Sequence, residues 1–380
     1  MQATRDETTL VLDMPVHQGA IFAGKYRVDR VLGSGGMGMV LKAKHVELDG
    51  WVAIKVLLPG VAGPERIARF SREARAAAKL KGDNVARVID LGTLEGGMPY
   101  MVMEYLEGED LDQRLRRCGP LTVAETVDFV TQACEAMAEA HAHGIVHRDL
   151  KAANLFVVTQ PDGSERIKVL DFGIAKVAAN DETSTESMTR TLAVMGSPTY
   201  MSPEQLKSTR SVDARADIWA LGVILYELLT GRVPFDGDGM GELYANIAWS
   251  EPAPLDRKDV PEALQAVILR CLEKSRDKRY RSVAELALAL APFGPKRAAD
   301  AAERALSITR AAEAWPTAYA RKTLRHRKVI AVALAVVAAF GTMAVRSCGP
   351  ATETKKAPDV VQSGPRADSS AGKSSVYSNS

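Results

Sequence analysis

The stretch Gly33-Ser34-Gly35-Gly36-Met37-Gly38-Met39-Val40 reads G-x-G-x-x-G-x-V. Glycine lets a backbone approach a ligand closely, and successive N–H groups can then cradle phosphate oxygens. Further along, His147-Arg148-Asp149-Leu150-Lys151-Ala152-Ala153-Asn154 gathers a carboxylate, an ammonium and a carboxamide in one short segment. Asp171-Phe172-Gly173 adds a second carboxylate. A dinucleotide-binding turn carries the same glycines, but it needs a helix directly after them and an acidic residue about 20 positions on. Here Val40 onward reads as strand, which favours a hairpin.

Together these stretches resemble the protein-kinase family, and more closely its Ser/Thr branch as found in bacteria. His147 to Asn154 matches H-R-D-L-K-x-x-N, Val52-Ala53-Ile54-Lys55 matches V-A-I-K, Asp171-Phe172-Gly173 matches D-F-G, and Ser202-Pro203-Glu204 stands in for A-P-E. The resemblance covers residues 26 to about 293 and implies an α+β, bilobal protein-kinase fold. It implies ATP as nucleotide, Mg2+ or Mn2+ as cation, and proteins bearing Ser or Thr as substrates.

Residue by residue, the resemblance makes Asp149 the base that accepts the substrate hydroxyl proton. Lys151 neutralises charge on the transferring group, and Lys55 holds the α- and β-phosphates. Glu73 pairs with Lys55; its alternative is a surface pair with Arg72 or Arg75. Asn154 and Asp171 hold the cation. Gly33, Ser34, Gly35, Gly36, Met37, Gly38, Val40 and Ala53 surround the nucleotide. Met103 is the gatekeeper, and the backbones of Glu104 and Leu106 meet the adenine. Arg148 receives an activation-loop phosphate. Thr189 and Thr191 are the expected phosphosites, with Ser184, Thr185 and Ser187 as competitors. Asp217 braces the catalytic loop, and Arg279 pairs with Glu204. Arg276 stands where the family usually has proline, which puts the local turn in doubt.

The pattern around these residues supplies the elements that must position them. Residues 1–25 are polar and without period, and read as a flexible lead-in. Five β-like runs from Tyr26 to Tyr105, with a helix from Pro64 to Leu80, make a small antiparallel lobe at 26–103. Residues 107–293 are mostly helical: Val123 to His143 and Asp217 to Thr230 carry long apolar patterns, the second stopped by Gly231. His141 and His143 read as no more than the end of the first of these helices. A net charge of +2 and no basic stripe exclude nucleic acid as the main partner. The four cysteines form no C-x-x-C pair, so no zinc or redox site is expected.

Residues 294–328 are rich in Ala and Arg and read as an amphipathic helical linker. Residues 329–345 carry no charge for about 17 positions, the short end of a bilayer span. Arg321, Lys322, Arg325, Arg327 and Lys328 precede the run, which places the kinase part in the cytoplasm and the tail, 346–380, across the inner membrane. The alternative is a buried core helix. Ala331, Ala335 and Ala339 lie at the spacing of a homodimer interface, or of an Ala-rich helix with no partner. A second functional class stays open as well: a nucleotide-binding scaffold that docks partners without transferring phosphate. Such a scaffold usually lacks one of Lys55, Asp149, Asn154 or Asp171, and all four are present here.

Overall fold

The structure, a computed structural model, describes residues 17–35, 38–58, 63–94, 97–172, 198–207 and 212–314. Its first lobe is a six-stranded antiparallel sheet of β1 (Ile21–Phe22), β2 (Tyr26–Gly35), β3 (Gly38–His45), β4 (Trp51–Leu57), β5 (Val88–Thr93) and β6 (Pro99–Glu104). The strands lie in the order β1-β2-β3-β4-β6-β5. β3 alternates, burying Met39, Leu41 and Ala43, as a strand with one face on the core should. β4 is central and buries Val52, Ala53, Ile54, Val56 and Leu57 in near-continuous succession. Helix α1 (Pro64–Ala77) starts at a proline, whose missing N–H costs nothing there. Its Phe70 and Ala74 pack on Leu57 of β4 and Met101 of β6.

The sheet starts before the lobe boundary expected at residue 26. Ile21 and Phe22 pair with Arg27 and Tyr26. Phe22 is fully buried, and its ring meets that of Tyr100 edge-on at 5.2 Å. Two residues are too few to display an alternation, so the sequence pattern leaves them in the lead-in. α1 also ends at Ala77, three residues short of Leu80, in tight turns from Lys79 N–H to Ala76 O and Leu80 N–H to Ala77 O.

The second lobe carries a three-stranded sheet of β7 (Gly108–Asp110), β8 (Leu155–Thr159) and β9 (Glu165–Val169). Around it lie α2 (Leu111–Cys118), α3 (Val123–Ala142), α4 (Pro203–Lys207), α5 (Arg215–Thr230), α6 (Met240–Trp249), α7 (Glu262–Cys271) and α8 (Val283–Leu290). Thr122 and Glu125 form a reciprocal capping box that fixes where α3 begins. α5 is buried continuously from Ala216 to Tyr226, the signature of a helix with core on every side. It stops at Gly231, whose φ of +72° suits a left-handed C-cap.

A further helix, α9 (residues 296–314), follows α8. It occupies the start of the segment expected to be a linker, yet Ala298, Ala301, Ala302 and Ala305 are fully buried along one stripe. Among the described residues no helix is long and apolar enough to cross a membrane. The run 329–345 and the tail lie outside the described residues.

Candidate active site

The site is braced from below by Asp217, in the first turn of α5 and almost fully buried. One carboxylate oxygen accepts the Arg148 N–H at 2.9 Å. The other accepts the His147 N–H at 2.9 Å and lies 2.8 Å from His141 Nε2. Burial alone would raise the Asp217 pKa, but the hydrogen bond and charge of His141, with help from the Arg148 N–H, outweigh it and hold the carboxyl below its ordinary value. This anchoring has a conformation to offset. Arg148 sits at φ +65°, left-handed for a residue with a Cβ, a strain on the order of 1–3 kcal/mol. The bracing role expected of Asp217 is matched by this geometry. The part played by His141 is not visible in sequence, because His141 and Asp217 lie on helices far apart in the chain.

His147 is fully buried, and its ring lies 4.9 Å from that of Phe172. Its Nε2 faces the Leu170 carbonyl at 3.0 Å, and the Asp149 N–H points at its Nδ1 at 3.3 Å. A carbonyl can only accept and an N–H can only donate, so this pairing selects the neutral ring protonated at Nε2. Burial favours the same state by pushing the His147 pKa down.

Asn154 closes the loop. Its Nδ2 donates to the Asp149 carbonyl at 2.8 Å, and its own carbonyl accepts the Leu170 N–H at 2.9 Å. The loop of Asp149 and Asn154 and the strand end that leads to Asp171 are thus drawn together from two separate stretches. Lys151 falls between Asp149 and Asn154, with its carbonyl bonded to the Asn154 N–H at 2.9 Å. The Lys151 ammonium is near enough to favour the ionised form of Asp171. Asp171 itself holds φ +47°, a second left-handed residue at the site.

From above, β4 carries Lys55 toward the second lobe. The Lys55 Nζ lies 2.6 Å from Asp171 Oδ1 and 3.3 Å from Glu73 Oε1 on α1. Burial works against this ammonium, yet the two carboxylates outweigh it and raise its pKa. Glu73 is pushed up by its own burial despite Lys55, whereas for Asp171 the attraction of Lys55 exceeds the burial penalty and the carboxyl is held low. Glu73 therefore faces Lys55, and the surface pairing with Arg72 or Arg75 is not adopted.

The glycine-rich segment forms the β2–β3 hairpin, with Gly35 opposite Gly38. A Cβ on Gly33 or Gly35 would meet no protein atom within 4 Å, whereas one on Gly38 would lie 2.1 Å from the Val56 carbonyl. Packing requires glycine at 38, while at 33 and 35 it leaves a cradle that a Cβ would fill. Ser34 lies in the same strand, opposite Met39; Gly36 and Met37 fall outside the described residues. Val40 pairs with Lys55, and Ala53 pairs with Met103 at the end of β6. The Glu104 N–H donates to the Arg87 carbonyl at 3.0 Å, and the Glu104 side chain accepts from Lys168 at 2.8 Å. For a ligand, the Glu104 backbone therefore has its carbonyl to offer. Leu106 is half-buried just beyond.

Arg279 is buried and holds Glu204 with both terminal nitrogens, at 2.7 and 2.9 Å. The turn before it is a short 3-10 helix at Arg276–Lys278, so arginine serves where proline was expected. The Arg148 guanidinium is buried, and its Nε and Nη1 have no hydrogen-bond partner among the described residues. Thr189 and Thr191, with Ser184, Thr185 and Ser187, lie outside the described residues.

A Lys–Glu pair within the first lobe, a loop of the second lobe braced from a core helix, and an aspartate of the second lobe reached by that lysine define the protein-kinase architecture. The protein kinase domain model matches residues 26–289, and the chain belongs to that family. It is 40% identical over 275 residues to the serine/threonine-protein kinase pkn3 of Myxococcus xanthus, covering 71% of this chain and 50% of that protein. It is 36% identical over 365 residues to the serine/threonine-protein kinase PknB of Mycolicibacterium smegmatis, covering 89% of this chain and 57% of that one. The chain thus spans about half the length of these curated relatives. Among solved structures, the kinase domain of Mycobacterium tuberculosis PknI aligns with a TM-score of 0.55 at 30% identity, over 73% of this chain and 99% of that domain.

Proposed function

We propose that this chain is a serine/threonine protein kinase that transfers the γ-phosphoryl group of ATP to protein hydroxyls. The observation that carries the reading is Lys55 held between Glu73 and Asp171, at 3.3 and 2.6 Å, above the loop of Asp149, Lys151 and Asn154. Lys55 would grip the α- and β-phosphates, and the open cradle at Gly33 and Gly35 suits their approach. Asn154 and Asp171 offer the oxygens a hard cation takes. Mg2+ or Mn2+ would supply charge neutralisation at the phosphates. Asp149 would accept the proton of the substrate hydroxyl, and Lys151 would balance charge beside it. The buried, incompletely bonded guanidinium of Arg148 suits a phosphate on Thr189 or Thr191, so autophosphorylation is part of the reading.

The membrane belongs here too. The uncharged run 329–345 behind a basic cluster supports a single-pass inner-membrane anchor, with the kinase domain cytoplasmic and the short tail on the far side. Ala331, Ala335 and Ala339 support a homodimer through that anchor.

The test incubates the full chain in liposomes with ATP and Mg2+ and locates phosphate by mass spectrometry, beside an Asp149→Asn control. Phosphate on Thr189 or Thr191 in the parent alone is the expected result. Equal labelling in both proteins, or none with a generic protein substrate and ATP bound, would overturn the reading.

A further inference from the structure

Helix α9 lies beyond the residues matched by the kinase domain, yet it is bonded into that domain's interior. Its buried stripe, Ala298, Ala301, Ala302 and Ala305, allows close approach to α3. At Gly294, just before it, a Cβ would lie 2.7 Å from Val127 and 2.8 Å from the Ala298 Cβ. Arg297 pairs with Asp128 at 2.6 Å, and Arg304 pairs with Glu135 at 2.7 Å. Both steps are seven residues on each helix, so α9 runs parallel to α3 and in register with it for two turns.

These ion pairs differ in kind. Asp128 has a fully buried side chain, and a buried carboxylate without a counter-charge is costly. Arg297 supplies that charge from outside the matched domain. The same Asp128 oxygen accepts Gln132 Nε2 at 3.0 Å. Gln132 Oε1 in turn accepts Asn84 Nδ2 at 3.2 Å and the Ile167 N–H at 2.9 Å. Asn84 also donates to the Ile167 carbonyl at 3.0 Å, and its own carbonyl accepts the Val169 N–H at 2.8 Å. Asn84 lies in the segment between α1, which carries Glu73, and β5. Val169 ends β9, two residues before Asp171. A second route runs beside the first: four residues beyond Glu135, Glu139 accepts the N–H groups of Lys81 and Gly82 at 2.6 and 2.9 Å.

We propose that α9 is a docked regulatory arm: through Arg297–Asp128–Gln132–Asn84 it holds the segment between α1 and β5, and so the alignment of Glu73 and Asp171 on Lys55. The surface is the outer face of α3, and its occupant is the chain's own helix. Release of α9 strands the Asp128 charge, loosens Asn84, and lets α1 and β9 lose their common anchor. The consequence for phosphate transfer rests on the kinase reading above; the mechanical coupling does not.

The test uses the full chain and compares Arg297→Met with Arg297→Met/Asp128→Asn, which removes the stranded charge while keeping the shape. Amide hydrogen exchange is read by mass spectrometry at 79–86, in α1 and in α9. Arg297→Met is expected to speed exchange at 79–86 and in α1 by about tenfold, in line with local opening of a less stable unit. The double variant should recover most of that protection, and phosphate transfer should fall and recover in parallel. If Arg297→Met fails to fold, Ala301→Asp/Ala305→Asp, which releases α9 at its buried stripe, takes its place. Faster exchange in α9 with 79–86 and α1 unchanged would overturn the proposal. Absence of phosphate transfer in the parent would count against the kinase reading alone, because the exchange measurement would still decide the coupling.

Discussion

Arg279 and Glu204 form a two-pronged ion pair in which the arginine side chain is wholly buried, tying the turn before α8 to α4 at 2.7 and 2.9 Å. Arg279 also donates to the carbonyls of Glu273 and Arg215, so three chain segments converge on one guanidinium. Removing one partner of such a pair leaves a buried charge uncompensated, at about 3–5 kcal/mol. Arg279→Leu should lower the thermal midpoint by several degrees, and Glu204→Gln, which keeps one acceptor, by less. Calorimetry decides; equal midpoints for both variants and the parent would show that the pair contributes nothing.

The two glycines facing each other across the β2–β3 hairpin should behave oppositely. Gly38→Ala forces a Cβ against the Val56 carbonyl, and overpacking of this kind costs about 1–3 kcal/mol. Gly35→Ala meets no protein atom. It should leave the melting temperature unchanged while raising KM for ATP. Thermal melts and ATP titrations of both variants check this, and a destabilised Gly35→Ala would refute the assignment of that glycine to the ligand.

The stability of the domain should fall as pH decreases from about 6.5. His147 is buried neutral with its pKa pushed down by burial, so between the folded and unfolded values the unfolded chain binds more protons. Stability from this group is complete above the ordinary histidine value and is lost as pH falls through the lowered one. Asp217, held below its ordinary value, acts the same way in a lower window, starting near 4. Urea midpoints from pH 8 to pH 5 should decline in the parent and decline less in His147→Asn. Identical slopes would exclude His147 as the source.

Tyr200 donates its hydroxyl to Glu227 at 2.6 Å, between the segment before α4 and the end of α5. Burial pushes the Glu227 carboxyl up, and the tyrosine hydrogen bond opposes this. Tyr200→Phe removes the donor and leaves a largely buried carboxylate less satisfied, a loss of about 1–3 kcal/mol. The expected signature is a lower melting temperature. An unchanged melt would show that solvent replaces the bond.

Which groups the candidate site gathers was legible in the sequence because each short motif keeps its polar residues within a few positions. Asp149, Lys151 and Asn154 share one loop, and the glycines of the hairpin share one turn, so local spacing is enough to recognise them. The division into a β lobe and a helical lobe was legible too, since hydrophobic period reports element type directly. What the sequence left open was decided by contacts between residues far apart in the chain. Glu73 had two readings, and only the packing of α1 on β4 and β6 turned it to Lys55. His141 looked like a helix end until α3 and α5 placed it on Asp217. Phe22 joined the core through a strand too short to show a pattern. The segment after α8 read as a linker because its inward face is alanine, which carries little hydrophobic signal. Its docking rests instead on close backbone approach and on Asp128, a buried charge whose counter-ion lies far along the chain. Local spacing fixes which groups are present; burial, which depends on the whole fold, fixes which of them must find each other.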